Sequence, residues 1–138
     1  MRLAAAATLL IAVATLAVAG CGEKHFSASG FIDAANEQGA ELDLGERLAT
    51  NPAGEEVYPI TTAASGGEPN PQLEGSGSKG TMIVADDAGS AGDEFDRCDS
   101  SADLTCFRAA NVVLRFEGMD AADRARISGA VSALASNG

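Results

Sequence analysis

The sequence predicts a small two-layer α+β fold, in which a mostly antiparallel sheet carries helices on one face. Two observations predict this class. Short apolar or alternating segments of strand length are separated by turn residues, and apolar residues at helical spacing end the chain. The elements follow the order α-β-β-β-α-β-β-α. With 138 residues, the chain is long enough for one domain.

A first helix is predicted from Ala28 to Gln38. Ser27 suits the N-cap, because its hydroxyl can accept a hydrogen bond from a free N–H of the first turn. Phe26 and Phe31 occupy the N′ and N4 positions of a hydrophobic staple. Gly39 follows the helix at the position where glycine commonly ends one. The local sequence therefore defines both ends of this helix.

Two strands are predicted after this helix. Residues 40–48 alternate between apolar and charged side chains, which indicates an edge strand, with a break at Gly45. Residues 55–63 form the second strand. Pro59 lies inside it and has no N–H for the ladder, so we expect an edge position or a bulge there.

Residues 64–80 contain five glycines, two prolines and three serines, which predicts a mobile connection. Because strands hold both of its ends, we expect it to carry the exposed recognition surface. The alternative is an insertion without a role. Residues 75–80 spell G-x-G-x-x-G, but they precede a strand rather than a helix, so we interpret them as linker and not as a nucleotide site.

The second half of the chain supplies the remaining elements. Residues 81–85 are continuously apolar, as in a central strand, and residues 90–100 have helical spacing with an acidic outer face. Residues 104–108 and 112–116 predict a pair of strands. A last helix is capped by Asp120, and it has an apolar stripe at Ile127, Ala130, Val131 and Leu134.

The formal net charge is −11, with 9 basic and 20 acidic residues. A nucleic-acid-binding protein needs a basic surface against the phosphates, so this class of partner is excluded. The single histidine, His25, leaves no Ser-His-Asp or Cys-His system that the sequence would predict. We therefore assign no catalytic residue and no cofactor.

The N-terminus has the features of an export signal. Residues 3–19 carry no charge and follow Arg2, and small residues come next. A short basic region, an apolar stretch and small residues are typical of a secretory signal peptide. The alternative is an uncleaved transmembrane helix, for which 17 residues are close to the minimum length.

Val18, Ala19, Gly20 and Cys21 complete this segment. This sequence resembles the lipobox of bacterial lipoproteins. The resemblance implies that residues 1–20 are a lipoprotein signal peptide and that Cys21 becomes the acylated N-terminus. Residues 21–25 are then a short tether, and residues 26–138 a single extracytoplasmic domain. The resemblance also implies a lipid anchor at the extracytoplasmic face of a bacterial membrane.

Cys98 and Cys106 remain once Cys21 is assigned to the lipid. An exported chain is in a compartment where disulfides persist, so we expect these two to be bonded. Their spacing, with no histidine nearby, does not suit a zinc site, and it is not the C-x-x-C of redox enzymes. The alternative is two free buried thiols.

Seven acidic residues lie within residues 86–103, without the spacing of a calcium-binding loop. We expect most of them on a solvated helix face, and we assign no metal ligand. Arg108 and Arg115 lie in predicted strands. We expect each to pair with a nearby carboxylate, and the alternative is a small anion-binding patch.

These features favour a non-enzymatic interaction or ligand-binding module, whose partner is an envelope protein or a small ligand. The alternative is a small envelope enzyme, or an enzyme accessory, that uses its carboxylates. A pocket with converging acids of strongly shifted pKa would favour the enzyme. A filled core with only shallow grooves would favour the module.

Overall fold

The computed structural model describes residues 24–51, 54–62 and 77–136. The predicted signal peptide, Cys21 and residues 64–76 of the predicted connection lie outside the described residues. The helices and strands of the described ranges are α1 (Ala28–Glu37), β1 (Leu42–Leu44), β2 (Ala49–Thr50), β3 (Glu56–Thr62), β4 (Lys79–Val84), α2 (Ala88–Asp99), β5 (Leu104–Ala109), β6 (Val112–Glu117) and α3 (Ala121–Ser136).

The strands form one antiparallel sheet in the order β1-β3-β4-β6-β5, and β2 pairs with β3 beside β1. The α+β class and the order of elements are as predicted. Within the predicted edge strand 40–48 only Leu42–Leu44 form a strand, β1, and the chain pairs with the sheet again in β2, just beyond the predicted end. Among the described helices, none has the length and hydropathy needed to cross a membrane.

Helix α1 is bounded by the residues that the sequence indicated. Ser27 Oγ accepts a hydrogen bond from the Gly30 N–H at 3.1 Å, as an N-cap does. The rings of Phe26 and Phe31 meet edge to face, with centroids 5.5 Å apart. Gly39 has φ +88°, which glycine adopts without steric cost. Its position after the helix is therefore explained by backbone conformation.

Pro59 is not at the edge of the sheet, because β3 lies between β4 and the pair β1 and β2. The predicted bulge lies instead in the edge of the sheet formed by β1 and β2. Four residues, 45–48, lie opposite only two residues of β3, 58–59, between the last pair of β1 and the first pair of β2. The bulge is therefore in the segment that joins β1 to β2 and not in β3. Gly45 N–H donates to Pro59 O at 2.8 Å. A Cβ at Gly45 would lie 2.5 Å from Pro59 Cγ, so this approach requires glycine.

Helices α1 and α3 pack on one face of the sheet and form the main core. Buried side chains from both helices meet alternate residues of the central strands. The largest of these, all almost inaccessible to solvent, are Phe31, Leu42, Ile60, Met82, Leu114, Phe116 and Ile127. This face corresponds to the two-layer arrangement that the sequence predicted.

Helix α2 packs on the opposite face, so the prediction that the helices share one face holds only for α1 and α3. Ile83 and Val113 point away from the main core and contact Ala91 and Phe95 of α2. Strands β4 and β6 therefore bury apolar side chains on both faces, which explains their continuous apolar sequence. Periodicity cannot assign a helix to one face or the other of such strands.

The predicted connection 64–80 ends earlier than expected, because Lys79 and Gly80 belong to β4. Gly80 pairs with Phe116, and a Cβ there would lie 2.5 Å from both Arg115 O and Phe116 Cδ1. The last glycine of the G-x-G-x-x-G sequence thus allows two strands to pack closely. Its role is in the sheet, not in a linker.

Asp123 of α3 forms hydrogen bonds with the chain on both sides of residues 63–76. Its Oδ2 accepts hydrogen bonds from Thr62 Oγ1 at 2.9 Å and from Ser78 Oγ at 3.0 Å. Its Oδ1 lies 2.8 Å from Arg126 Nη2. Asp123 is only 1% exposed. A buried charge is retained where it is paired and hydrogen-bonded, as here.

Candidate functional site

A groove of about 230 Å³ lies between helix α2 and the uncovered part of the sheet. Its lining includes Leu104 and the edges of Ile83 and Val113, whose side chains are almost fully buried under α2. Glu94, Arg97 and Arg115 supply its charged groups. Strands β4, β5 and β6 and one helix thus bring apolar and charged side chains together. We regard this groove as the candidate site.

Glu94 is the inward-facing acid of α2, and its side chain is only 15% exposed. Its carboxyl group lies close enough to that of Glu55, the residue before β3, for the two to interact electrostatically. Burial raises the pKa of Glu94 above its ordinary value, and the negative charge of Glu55 raises it further. Both effects favour the protonated form of Glu94.

Asn51 fixes the position of Glu55. Asn51 Nδ2 donates to Glu55 Oε2 at 2.7 Å, and the Glu55 N–H donates to Asn51 Oδ1 at 2.9 Å. Glu55 is 3% exposed, so its carboxyl group is removed from solvent. The turn that precedes β3 therefore presents a fixed, buried carboxyl to helix α2.

Two guanidinium groups face this carboxyl pair. Arg97 Nη2 lies 2.5 Å from Glu94 Oε1. The positive charges of Arg97 and Arg115 both lower the pKa of Glu94, in opposition to burial and to Glu55. Within the described ranges neither Arg115 nor Arg108 forms an ion pair, so the expected salt bridges of these two arginines are not present there.

The predicted disulfide between Cys98 and Cys106 is confirmed, with a Cα–Cα distance of 6.1 Å. It joins α2 to β5 at one end of the groove. Cys106 pairs with Arg115 across the β5–β6 ladder, so both lie on the face that α2 covers. The bond therefore holds the helix against the strands that form the groove.

The acidic residues of segment 86–103 separate into two groups. Glu94 faces the groove, and the other six are exposed: Asp86, Asp87, Asp93, Asp96, Asp99 and Asp103. In the described part of the chain, no three His, Cys, Asp or Glu side chains are grouped as metal ligands would be. The prediction that these acidic residues lie on a solvated face is therefore correct for all of them except Glu94.

His25 lies against the folded domain rather than in the groove. Its Nε2 is 3.1 Å from Asp86 O and 3.4 Å from Asn111 Nδ2. The predicted tether 21–25 therefore already contacts the domain at its last residue. Cys21, the predicted lipidation site, is outside the described residues.

Sequence reasoning missed the pairing of Glu94 with Glu55. A local signal for the orientation of Glu94 exists, since Ala91, Glu94, Phe95 and Cys98 have the i, i+3, i+4, i+7 spacing of one helix face. No local signal identifies Glu55 as its neighbour, because that residue belongs to a distant turn.

No family model matches the chain, and neither the curated proteins nor the solved structures give a significant match.

Proposed function

We propose that the protein is a non-enzymatic binding module, anchored by acylated Cys21 to the extracytoplasmic face of a bacterial membrane. The lipobox-like sequence from Val18 to Cys21 supports the anchor. The disulfide between Cys98 and Cys106 is in keeping with an oxidising compartment outside the cytoplasm.

The attachment of Phe26 is the structural observation that carries this proposal. The Phe26 N–H donates to Asn111 Oδ1 at 2.7 Å, and Asn111 Nδ2 donates to Phe26 O at 3.0 Å. The domain thus begins five residues after Cys21. A lipid on Cys21 would hold the β5–β6 turn next to the bilayer, and it would direct the opposite end of the sheet, with Thr62 and Ser78, away from it.

The filled core supports a binding role over catalysis. Phe31, Met82, Leu114 and Phe116 have no exposed surface, and the groove beside α2 has a volume of only about 230 Å³. Enzyme sites are usually deep clefts that remove the substrate from water. A small groove beside a filled core is better suited to reversible binding.

Metabolic labelling with a fatty acid tests the anchor. We expect the parent chain to be labelled and Cys21→Ser to be unlabelled and to accumulate as precursor. The double variant Cys98→Ser, Cys106→Ser is the matched control, because it removes two cysteines and should keep the label. Label that persists in Cys21→Ser would contradict the proposal.

A small envelope enzyme, or an enzyme accessory, is the second candidate, and the carboxyl pair Glu55–Glu94 is the observation that favours it. A carboxyl with raised pKa can act as a general acid beside a second carboxylate. Chromogenic nitrophenyl glycosides test this role. Turnover by the parent that Glu94→Gln abolishes and Asp96→Asn retains would favour the enzyme, and equal background in all three favours the module.

A further inference from the structure

We propose that the free edge of strand β5 pairs with β5 of a second copy of this chain, antiparallel and about a two-fold axis at Cys106. This inference goes beyond the proposed function and does not depend on the lipid anchor. Three observations carry it: the contrast between the two edges of the sheet, the positions of the charges along β5, and a hollow beside this edge.

The two edges of the sheet differ in the features that prevent strand pairing. The edge formed by β1 and β2 has strands of only three and two residues, with the bulge at 45–48 between them. Native sheets use short strands and bulges of this kind to prevent edge-to-edge pairing. Strand β5, at the other edge, has six residues, contains no proline, glycine or lysine, and carries Arg108 as its one charge. The edge at β5 is therefore the one suited to pairing.

Alternate backbone groups of β5 point away from the sheet. Asn111 O accepts a hydrogen bond from the Ala85 N–H at 2.8 Å, so the odd-numbered residues of β6 bond to β4 and the even-numbered ones to β5. In the observed register, the backbone groups of Leu104, Cys106 and Arg108 then lie on the free side. Within the described ranges, the Leu104 N–H is the only one of these groups with another hydrogen-bond partner. The N–H groups of the other two residues are available to a second β5.

The charges along β5 are complementary under a two-fold axis at Cys106, which places Arg108 of one copy opposite Leu104 of the other. Arg108 lies at the turn end of β5, and within the described ranges it forms no ion pair. Asp99 and Asp103 lie beside the start of the strand, exposed and likewise without an ion pair in the described residues. Antiparallel self-pairing therefore brings each arginine next to two carboxylates of the other copy.

A hollow of about 540 Å³ lies beside this edge, between α3 and the connection from α2 to β5. Thr105 and Phe107 of β5 line it, together with Met119, Arg124 and Ser128. Phe107 is half-buried and packs against the main core. In the proposed register, Phe107 of the second copy lies opposite Thr105, so its ring would cover the hollow. Two aromatic rings thus add apolar contact to the backbone pairing.

Helix α2 leaves room for this arrangement. It contacts Ile83 of β4 and Val113 of β6 and is bonded to β5 through Cys106, so its axis lies over β6. At about 4.8 Å between strands, the α2 axes of the two copies would be roughly 14 Å apart. Packed helices approach to about 8–10 Å, so the two helices do not collide.

The two-fold axis also fixes the directions of the two N-termini. It reverses β5, so the two β5–β6 turns, and the Phe26 residue bound to each, lie at opposite ends of the pair. If Cys21 carries a lipid, the pairing therefore joins chains from two facing bilayers.

Sedimentation equilibrium of the purified full chain in density-matched detergent tests the pairing. We expect a reversible dimer with Kd on the order of 10 µM, because a single pair of strands is a small interface. Arg108→Asp should weaken dimerisation at least about tenfold, since it places like charges together at both ends of the strand pair. The charge swap Arg108→Asp, Asp103→Arg should dimerise at least about threefold more tightly than Arg108→Asp alone.

Lys79→Asp is the matched control, because it makes the same charge reversal at an exposed residue of β4, which β6 separates from β5. We expect its Kd to stay within about twofold of the parent. Thermal melts identify any variant that fails to fold, and for such a variant hydrogen exchange of the parent decides.

Amide hydrogen exchange of the parent, well below and well above the Kd, tests the register. The N–H groups of Cys106 and Arg108 should exchange at least about threefold more slowly at the higher concentration. Those of Thr105 and Phe107 are already bonded to β6 and should change less. The two sets alternate along one strand, so general stabilisation of β5 would not reproduce this pattern.

A chain that stays monomeric at about 100 µM would overturn this inference, also where a different protein is found bound to β5. A dimer that Arg108→Asp leaves unchanged would overturn it too, as would slower exchange confined to Thr105 and Phe107. Labelling of Cys21 is measured separately, so a failure of the pairing is distinguishable from a failure of the proposed membrane-anchored module.

Discussion

The side-chain amide of Asn111 forms hydrogen bonds of 2.7 and 3.0 Å with the backbone N–H and C=O of Phe26. Asn111 Nδ2 also donates to Ala85 O at 3.1 Å, and the side chain is buried. One amide in the β5–β6 turn therefore joins the N-terminal segment to the end of β4. If Cys21 carries a lipid, this amide connects the anchor to the sheet.

Asn111→Ala should lower the free energy of unfolding by about 2–4 kcal/mol, since it leaves buried backbone groups without partners. Asn36→Ala is a matched control, because Asn36 makes the same pair of hydrogen bonds to the backbone of Leu42, at 2.7 and 2.8 Å, from an exposed position. We expect Asn36→Ala to lower the free energy of unfolding by only about 1 kcal/mol. Urea unfolding measures both variants, and equal losses would show that burial of Asn111 contributes nothing.

Asp123→Asn should be strongly destabilising, by about 3 kcal/mol, because Arg126 loses its buried counter-charge. The hydroxyls of Thr62 and Ser78 also lose a charged acceptor. Asp120→Asn is the control on the same helix. Asp120 Oδ1 accepts from the Asp123 N–H at 2.8 Å, as asparagine does equally well at an N-cap. Similar unfolding midpoints for the two variants would contradict the role of Asp123.

Glu94 should make stability depend on pH in a definite direction. Its folded pKa is raised above 4.5 by burial and then by Glu55, so the folded state binds its proton more tightly than the unfolded state does. The resulting stability is fully present below the unfolded pKa, and it is lost as pH rises through the folded pKa.

We therefore expect the parent to lose stability, relative to Glu94→Gln, as pH increases from below 4.5. Urea unfolding at a series of pH values measures this difference, in which the titration of other groups largely cancels. Asp96→Asn removes an exposed carboxylate of the same helix and should follow the parent. A difference that grows in the opposite direction would contradict the raised pKa.

Loss of the Cys98–Cys106 bond should cost about 2.5 kcal/mol for a loop closed over 8 residues. The double variant Cys98→Ala, Cys106→Ala and the reduced parent should unfold at similar urea concentrations. Mass spectrometry of the unreduced chain should show a peptide that links both cysteines. Alkylation of both thiols without reductant would contradict the bond.

The sequence by itself determined the local elements. The Ser27 cap, the staple of Phe26 and Phe31, and Gly39 define α1 through contacts between residues a few positions apart, and these contacts hold in the fold. The hairpin of β5 and β6 and the stripe of α3 are similarly local. The disulfide was predicted because one pair of cysteines remains once Cys21 is assigned to the proposed lipid anchor.

Only the tertiary structure decided how these elements combine. Strands with apolar residues on both faces do not indicate which face a helix covers, so α2 lies opposite α1 and α3. Pro59 is inside the sheet because the neighbouring edge bulges around it, a feature set by another part of the chain.

The charged groups depend most on long-range contacts. Asp123 meets Thr62 across 61 residues of sequence, and Glu94 meets Glu55 from another element. Sequence patterns reflect periodicity within one segment, whereas burial and the pKa of a carboxyl depend on groups that distant segments bring to it. The local elements could therefore be predicted from the sequence, whereas the contact between Glu94 and Glu55 exists only in the folded chain.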